Sequence, residues 1–197
     1  IANETYENTR EMSSVLSVFR KLYTEEVVYP ALKSGVTVTH DYLDHPGAIP
    51  LPATISILFA EKLSEKFNKQ MMTKLYSKYP FPARAVSGGL RDNFAEQAWF
   101  EINKNPTQSF QRIEKVEGVD TFRYAVADVM QKACVDCHNS HPQSPKKDWK
   151  VGEVRGIIEV NEQMDASKTS IAPALFETQL FLTIFSIIIL GLMFTLI

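Results

Sequence analysis

The sequence has 197 residues, of which 45% are hydrophobic, with 21 basic and 23 acidic side chains. Its length allows one domain of ordinary size with some residues to spare. The formal charge of −2 excludes a protein that binds nucleic acid generally, and the apolar content excludes a disordered chain. The only two cysteines, Cys134 and Cys137, exclude a scaffold built on several disulfides.

The first third of the chain predicts two amphipathic helices separated by a loop. Apolar residues recur at three- and four-residue steps between residues 4 and 30, which predicts one long helix. Pro30 and the Lys33-Ser34-Gly35 stretch that follows are expected to terminate it. The next stretch, VTVTHDYLDHPGAIPLP, contains too many prolines for long regular structure. A second helix is predicted over residues 53–70, with an apolar stripe opposite its charged residues.

The middle of the chain mixes strand and helix patterns. We predict a strand over 73–77, a helix over 92–104, a hairpin of strands 110–116 and 121–127, and a strand over 154–160. The pattern then becomes helical again. This order predicts a small α+β domain between two long helices.

The C-terminal segment predicts a transmembrane helix. Residues 180–197 read LFLTIFSIIILGLMFTLI without a charge. A helix of this length covers roughly 27 Å, close to the hydrocarbon thickness of a bilayer. The alternative is a buried core helix, which rarely lacks a polar face over five turns. The chain opens with Ile, and no Lys or Arg follows the segment, so we expect a longer gene product.

Residues 134–138 read Cys-Val-Asp-Cys-His, the pattern of covalent c-type haem attachment. Two thiols three positions apart reach the two vinyl groups on one edge of a porphyrin, and the next residue offers an imidazole to the iron. The sequence therefore predicts one covalently attached haem c, with thioethers from Cys134 and Cys137 and His138 as the proximal iron ligand. Because haem c is attached outside the energy-conserving membrane, we expect an extracytoplasmic domain.

Three other uses of the cysteines compete with haem attachment. A structural zinc site needs four ligands, and the chain has no second cysteine pair. A thioredoxin-type redox pair belongs near a βαβ pattern, which the sequence lacks. A disulfide between Cys134 and Cys137 would close a loop too small to add much stability.

The sixth iron ligand and the haem pocket have several candidates. We favour His40, in the punctuated loop, as the distal ligand; an exposed histidine that bonds water is the competing interpretation. His45, His141 and the methionines are the other candidates. Aromatic and basic residues that would line the pocket or meet the haem propionates are Phe81, Phe122, Tyr124, Trp149, Arg84, Arg123, Lys147 and Arg155; core packing or a solvated surface would explain each of them as well.

Several phrases of the sequence resemble the PAS-like c-type haem domain family. They are THDYLDHPGAIPLPATISILFAE, YSKYPFPAR, DNFAEQAWFEI and ADVMQKACVDCHNSHPQSPKKDWKVGEVRGIIEV, so the resemblance spans roughly residues 19–160. It implies a PAS-like antiparallel sheet with flanking helices and one haem. Family members are periplasmic sensor modules of nucleotide cyclases or histidine kinases, or stand-alone haem proteins. The resemblance to at least one family member would imply a cysteine as the ligand opposite the proximal histidine. This chain departs from that pattern, because both its cysteines lie in the attachment motif.

These observations give three predicted segments: a long N-terminal helix (1–32), a PAS-like c-type haem domain (33–162), and a linker with the transmembrane helix (163–197). The predicted localisation is the inner membrane, with the haem domain on the periplasmic side. The expected function is a haem-based redox or gas sensor module; the alternative is an electron-transfer cytochrome subunit of a membrane redox complex. We expect the membrane and a second copy of the chain, or a larger complex, as partners, and no nucleic acid. Catalysis is not expected, because the sequence lacks a phosphate-binding loop and a nucleophile elbow.

Overall fold

A computed structural model describes residues 2–67, 70–164, 179 and 182–187. Ala2–Gln163 form one compact unit. The longer helices are α1 (Ala2–Leu22), α3 (Pro52–Lys66), α4 (Asn93–Lys104) and α5 (Lys132–Ser140), and a short α2 spans Tyr29–Lys33. The strands are β1 (Val38–Thr39), β2 (Ile49–Pro50), β3 (Met71–Tyr76), β4 (Phe110–Val116), β5 (Val119–Val129) and β6 (Val154–Gln163).

A four-stranded antiparallel sheet in the order β3-β6-β5-β4 is the centre of the fold. Strands β5 and β6 are buried on both faces, so helices cover the sheet on two sides. On one face Leu16 of α1 and Ala60 of α3 pack against Ile158 and Val160. On the other face α4 packs against Ile157 and its neighbours. The α+β architecture and the antiparallel sheet expected from the sequence are therefore present.

The predicted N-terminal helix is interrupted by a turn of a different type. Residues Tyr23–Val28 form a π-helix between α1 and α2, and Pro30 lies in the first turn of α2. The sequence predicted that Pro30 and Lys33-Ser34-Gly35 end the helix; the chain remains helical through Pro30, and α2 ends at Lys33. Proline is tolerated in a first turn, where its missing N–H is not needed, so the change of helix type lets the chain continue through it.

The hairpin between β4 and β5 is tighter than the sequence suggested. Glu117 and Gly118 both have positive φ angles, 52° and 85°. Two consecutive residues with positive φ match the right-handed twist of the strands that they join. The turn therefore takes only these two residues, and β5 begins at Val119.

The prediction of a transmembrane helix is wrong as far as the structure describes the chain. No helix among the described residues is both long and apolar enough to cross a membrane. Helix α1 has the length but carries charges at both ends. Residues 182–187 are helical, but six residues rise only about 9 Å. The rest of the predicted span lies outside the described residues.

The predicted inner-membrane localisation depended on that helix, and it is corrected together with it. A crossing needs a continuous apolar helix of about 20 residues. Among the described residues no helix meets both requirements.

A close approach between β3 and β6 gives a test of the sheet. A Cβ added to Gly156 would lie 2.9 Å from the carbonyl oxygen of Tyr76, so the backbone would have to move. We expect Gly156→Ala to lower the free energy of unfolding by about 1–3 kcal/mol, as overpacking does elsewhere. Urea denaturation measures the change. Gly89→Ala is the matched control, because its Cβ meets nothing closer than 3.9 Å; equal losses in the two variants would contradict the prediction.

Candidate functional site

The C-x-x-C-H motif lies on a helix, α5, which begins three residues after β5 ends. Cys134, Cys137 and His138 are spaced i, i+3 and i+4, so they share one face of this helix. Cys134 is buried, whereas Cys137 and His138 are half-buried. The two thiols are not bonded to each other. The motif therefore presents two free thiols and an imidazole side by side, as haem attachment requires.

Two aromatic residues pack around His138. The Phe81 ring meets the imidazole edge-on, with centroids 5.1 Å apart, and the Trp149 ring is 6.4 Å away at 90°. Trp149 is itself fixed to α5, because its N–H donates to Asn139 Oδ1 and its carbonyl accepts from Asn139 Nδ2, both at 2.9 Å. The imidazole orientation is therefore restricted from two sides.

His138 is held in its neutral form. Burial, and then the positive charges of Arg155 and Arg20, lower the pKa of His138 to about 4. At neutral pH the imidazole therefore keeps a lone pair, which is the form that binds metals. Burial also raises the pKa of the Cys137 thiol, so this thiol is protonated at neutral pH.

A buried ion cluster lies beside this helix and joins three elements. Arg155 of β6 donates to Asp128 of β5 through Nε at 2.8 Å and Nη2 at 2.9 Å. Arg20 of α1 lies 3.0 Å from the same carboxylate. The three side chains are each at most 9% exposed. We call Arg20, Asp128 and Arg155 the Asp128 cluster.

Charges in the Asp128 cluster reach the motif. Burial lowers the pKa of Arg155, but the negative charge of Asp128 and then the neighbouring Cys134 sulfur raise it more, so the pKa lies above its ordinary value. Burial lowers the pKa of Arg20 to about 10 even though Asp128 opposes the shift. The guanidinium of Arg155 thus lies within interaction range of both Asp128 and Cys134.

Arg20 has unused hydrogen-bonding capacity. Its Nε approaches Asp128 without an aligned hydrogen bond, and neither Nε nor Nη1 has a hydrogen-bond partner. A buried guanidinium whose N–H groups lack acceptors is energetically unfavourable. A carboxylate such as a haem propionate could accept hydrogen bonds from these groups. This orphaned donor group and the Cys-Cys-His face of α5 together fit a haem.

The sequence did not identify Arg20 or Asp128. The available signal was periodicity, because Arg20 occupies the buried stripe of α1 with Ser13 and Leu16, and this stripe continues at Thr24 in the π-helix. A charged residue in a buried stripe needs a partner of opposite charge. Nothing in the sequence indicated that this partner is Asp128.

The other residues predicted for the site lie in several places. Trp149 and Arg155 are brought to α5, as described above. Phe122 and Tyr124 are buried on β5. Tyr124 meets Tyr6 of α1 at 5.7 Å, and it lies about 13 Å along the strand from Asp128. Their role in a haem pocket stays a prediction.

His40 and the remaining basic candidates have other surroundings. The His40 side chain is 52% exposed and lies 3.9 Å from Asp41, so its role as a distal ligand also stays a prediction. Arg84 donates to the Leu75 carbonyl. Arg123 belongs to a separate ion cluster with Glu159, and Lys147 is exposed.

The fold and this site define an α+β domain with a thiol- and imidazole-bearing helix at one end of its sheet. Residues 1–162 match the model of the Tll0287-like family, so the chain belongs to that family. This membership is consistent with a haem-binding domain of PAS-like type. Searches of curated proteins and of solved structures found no match.

The Asp128 cluster predicts a large loss of stability when its only carboxylate is removed. In Asp128→Asn two buried guanidinium groups would lose their counter-charge, which costs about 3 kcal/mol or more of unfolding free energy. Urea denaturation measures it. The control is Asp136→Asn, whose ion pair with Lys132 is exposed and should change stability by less than about 0.5 kcal/mol. A loss no larger than that of the control would contradict the prediction.

The same carboxylate predicts a dependence on pH. Burial raises the pKa of Asp128, but Arg155 and then Arg20 lower it more, so it lies below its ordinary value. Its contribution to stability is therefore complete above the unfolded pKa of about 3.9 and is lost as the pH falls through the folded pKa. We expect the stability difference between the unmodified chain and Asp128→Asn to be constant above about pH 5 and to shrink below about pH 4. Urea denaturation at a series of pH values tests this; a difference that widens on acidification would contradict it.

Proposed function

We propose that the chain is a haem c-binding sensor module, with Cys134 and Cys137 attaching the haem and His138 as proximal ligand. The observation that carries this proposal is the common face of these three side chains on α5. It is supported by the ion cluster that joins α1 to β5 and β6, because Arg155 of that cluster interacts with Cys134 of α5. Membership of the Tll0287-like family supports the haem-binding part.

Each part of the site has a task in this proposal. A bound haem c supplies an iron centre that changes oxidation state or takes up a small ligand. His138 is kept neutral for ligation, and Phe81 and Trp149 orient its ring. Arg20 offers its unused N–H groups to a propionate.

The sensing part of the proposal depends on the Asp128 cluster. Asp128 holds Arg155, which faces the motif, and Arg20, which belongs to the long helix α1. Any movement of α5 or any new charge near Arg20 changes how this carboxylate is shared, and so changes the free energy of one position of α1 relative to another. The cluster is thus a direct mechanical and electrostatic connection from the motif to α1.

Haem attachment is tested on the two cysteines. Produced together with a cytochrome c maturation system, the unmodified chain is expected to keep haem through denaturing electrophoresis, because thioether bonds survive it. The double variant Cys134→Ala/Cys137→Ala should lose all of this haem, as measured by haem staining and intact mass. His141→Ala, which changes a neighbouring histidine outside the motif, should retain it. Haem that remains covalently bound to the double variant would refute the proposal.

Sensing is tested by hydrogen exchange over α1 and the π-helix. We expect peptides that cover residues 16–28 to change their protection between the oxidised and reduced haem forms, because Arg20 connects them to the site. Arg20→Gln should remove this difference. The matched control, Arg10→Gln, alters an exposed arginine of the same helix and should preserve it. Identical protection in both redox states would overturn sensing through α1 and favour simple electron transfer, while haem attachment would be unaffected.

A further inference from the structure

A second polar site lies at the β3 edge of the sheet, apart from α5. It is a cavity of about 350 Å³, bounded by β3, by the segment that leads from Arg84 to Asp92, and by the start of α4. Arg123 of β5 and Glu159 of β6 form its deepest part. Cys134, Cys137 and His138 do not line it. The volume is at the lower end of the range for small-molecule sites.

Two buried polar atoms at this cavity have no hydrogen bond of normal geometry. Glu159 is 0% exposed, and its Oε1 accepts from Arg123 Nε at 2.9 Å, but its Oε2 accepts no such bond. The hydroxyl of Tyr76, a residue 5% exposed, also makes none, although it lies close enough to Glu159 that burial and then this carboxylate raise the pKa of Tyr76. Orphaned buried groups are rare because each one costs free energy. Both residues line the cavity, so a ligand there is accessible to them.

Neighbouring cations do not satisfy Glu159 Oε2. Arg123 is already shared among three carboxylates, since it also pairs with Asp92 at 3.0 Å and with Glu114 at 2.5 Å. Lys74 is half-exposed and its Nζ is 3.9 Å from the other oxygen, Oε1. The deepest part of the cavity therefore offers a desolvated negative oxygen and a hydroxyl to a hydrogen-bond donor.

The rim of the cavity has the opposite character. Arg84 and Arg91 both line it. Each donates to a backbone carbonyl, Arg84 to Leu75 and Arg91 to Val86. Over the described ranges of the chain, neither guanidinium is paired with a carboxylate. The rim therefore offers two cationic groups to an anion.

We propose that this cavity binds a free α-amino acid, with its ammonium group at Glu159 Oε2 and the Tyr76 hydroxyl and its carboxylate at Arg84 and Arg91. A zwitterion has a positive group for the deep part of the cavity and a negative group for its rim, and it adds no net charge to a buried site. A cationic donor suits an orphaned carboxylate oxygen better than a neutral hydroxyl, because charge-assisted hydrogen bonds are about twice as strong. Hydroxy acids and simple carboxylates are therefore weaker ligands. The site is a second input to the domain, independent of haem attachment.

Isothermal titration calorimetry on the 197-residue chain tests the proposal. The probes are glycine, L-alanine, L-serine, L-aspartate and L-glutamate, with L-lactate and propionate as analogues of alanine that lack the ammonium group. We expect at least one amino acid to bind, and where alanine binds we expect lactate and propionate to bind about tenfold more weakly or not at all. Failure of all five amino acids, or equal binding of alanine and lactate, would overturn the proposal.

Variants then assign the contacts. Glu159→Gln keeps the shape but removes the charge, and it should weaken binding of the amino acid about tenfold or more. Because Glu159 also pairs with Arg123, Tyr76→Phe is the second variant. It removes only a hydroxyl that makes no hydrogen bond of normal geometry, so it should fold normally and should weaken binding severalfold. Arg91→Gln should also weaken binding, whereas Arg10→Gln on α1 is the matched control and should not. Unchanged affinity in both Tyr76→Phe and Arg91→Gln would refute the assigned site.

Discussion

One buried carboxylate, Asp128, holds together the end of the sheet that lies beside the C-x-x-C-H motif. It lies on the central strand β5 and pairs with an arginine from the neighbouring strand and another from α1. Two guanidinium groups beside one carboxylate leave an excess of positive charge in a region that water does not reach. Burial, and then this positive charge, depress the pKa of the nearby His138. Nε and Nη1 of Arg20 have no hydrogen-bond partner. A negatively charged group bound beside α5 would therefore complete the cluster and would not disturb it.

The sheet carries a second buried ion cluster on its other face, and β6 contributes to both. Arg155 belongs to the Asp128 cluster, and Glu159, further along the same strand, pairs with Arg123 beneath α4. Central strands normally bury apolar side chains, so two sets of buried charges on β5 and β6 lower the free energy of unfolding relative to an apolar sheet. Each set includes polar atoms without a hydrogen bond of normal geometry: Nε and Nη1 of Arg20 in the first, and Oε2 of Glu159 in the second. The unpaired atoms of the two clusters are of opposite kinds, because the Arg20 nitrogens are hydrogen-bond donors and the Glu159 oxygen is an acceptor.

Sequence patterns predicted the elements well where one face of a helix or strand is apolar. The stripes of α1, α3 and α4 and the alternation around β4 and β5 were sufficient, because amphipathic periodicity directly reflects which side is buried. Helix α5 was not predicted as a helix, since KACVDCHNS is short and has no apolar stripe. The motif itself was recognisable because its chemistry depends on local spacing. The ion partners were not, because Arg20, Asp128 and Arg155 belong to different elements and a single sequence does not show which buried charges meet. The apolar C-terminal run predicted a membrane-spanning helix, and the described residues contain none.

The π-helix at Tyr23–Val28 has a consequence for how the chain tolerates insertions and deletions. A π turn inserts an extra residue into an otherwise α-helical path, and each residue turns an α-helix by about 100°. The extra residue is taken up within one turn, so the helices on either side keep their phase. Removing one residue within Tyr23–Val28 is therefore expected to convert the π turn to α-helix and to leave Arg20 beside Asp128. Removing a second residue would rotate everything before it, including Arg20, by about 100° relative to α2 and would point the arginine away from Asp128. The phase of the long helix is thus as much a part of the site as its side chains are.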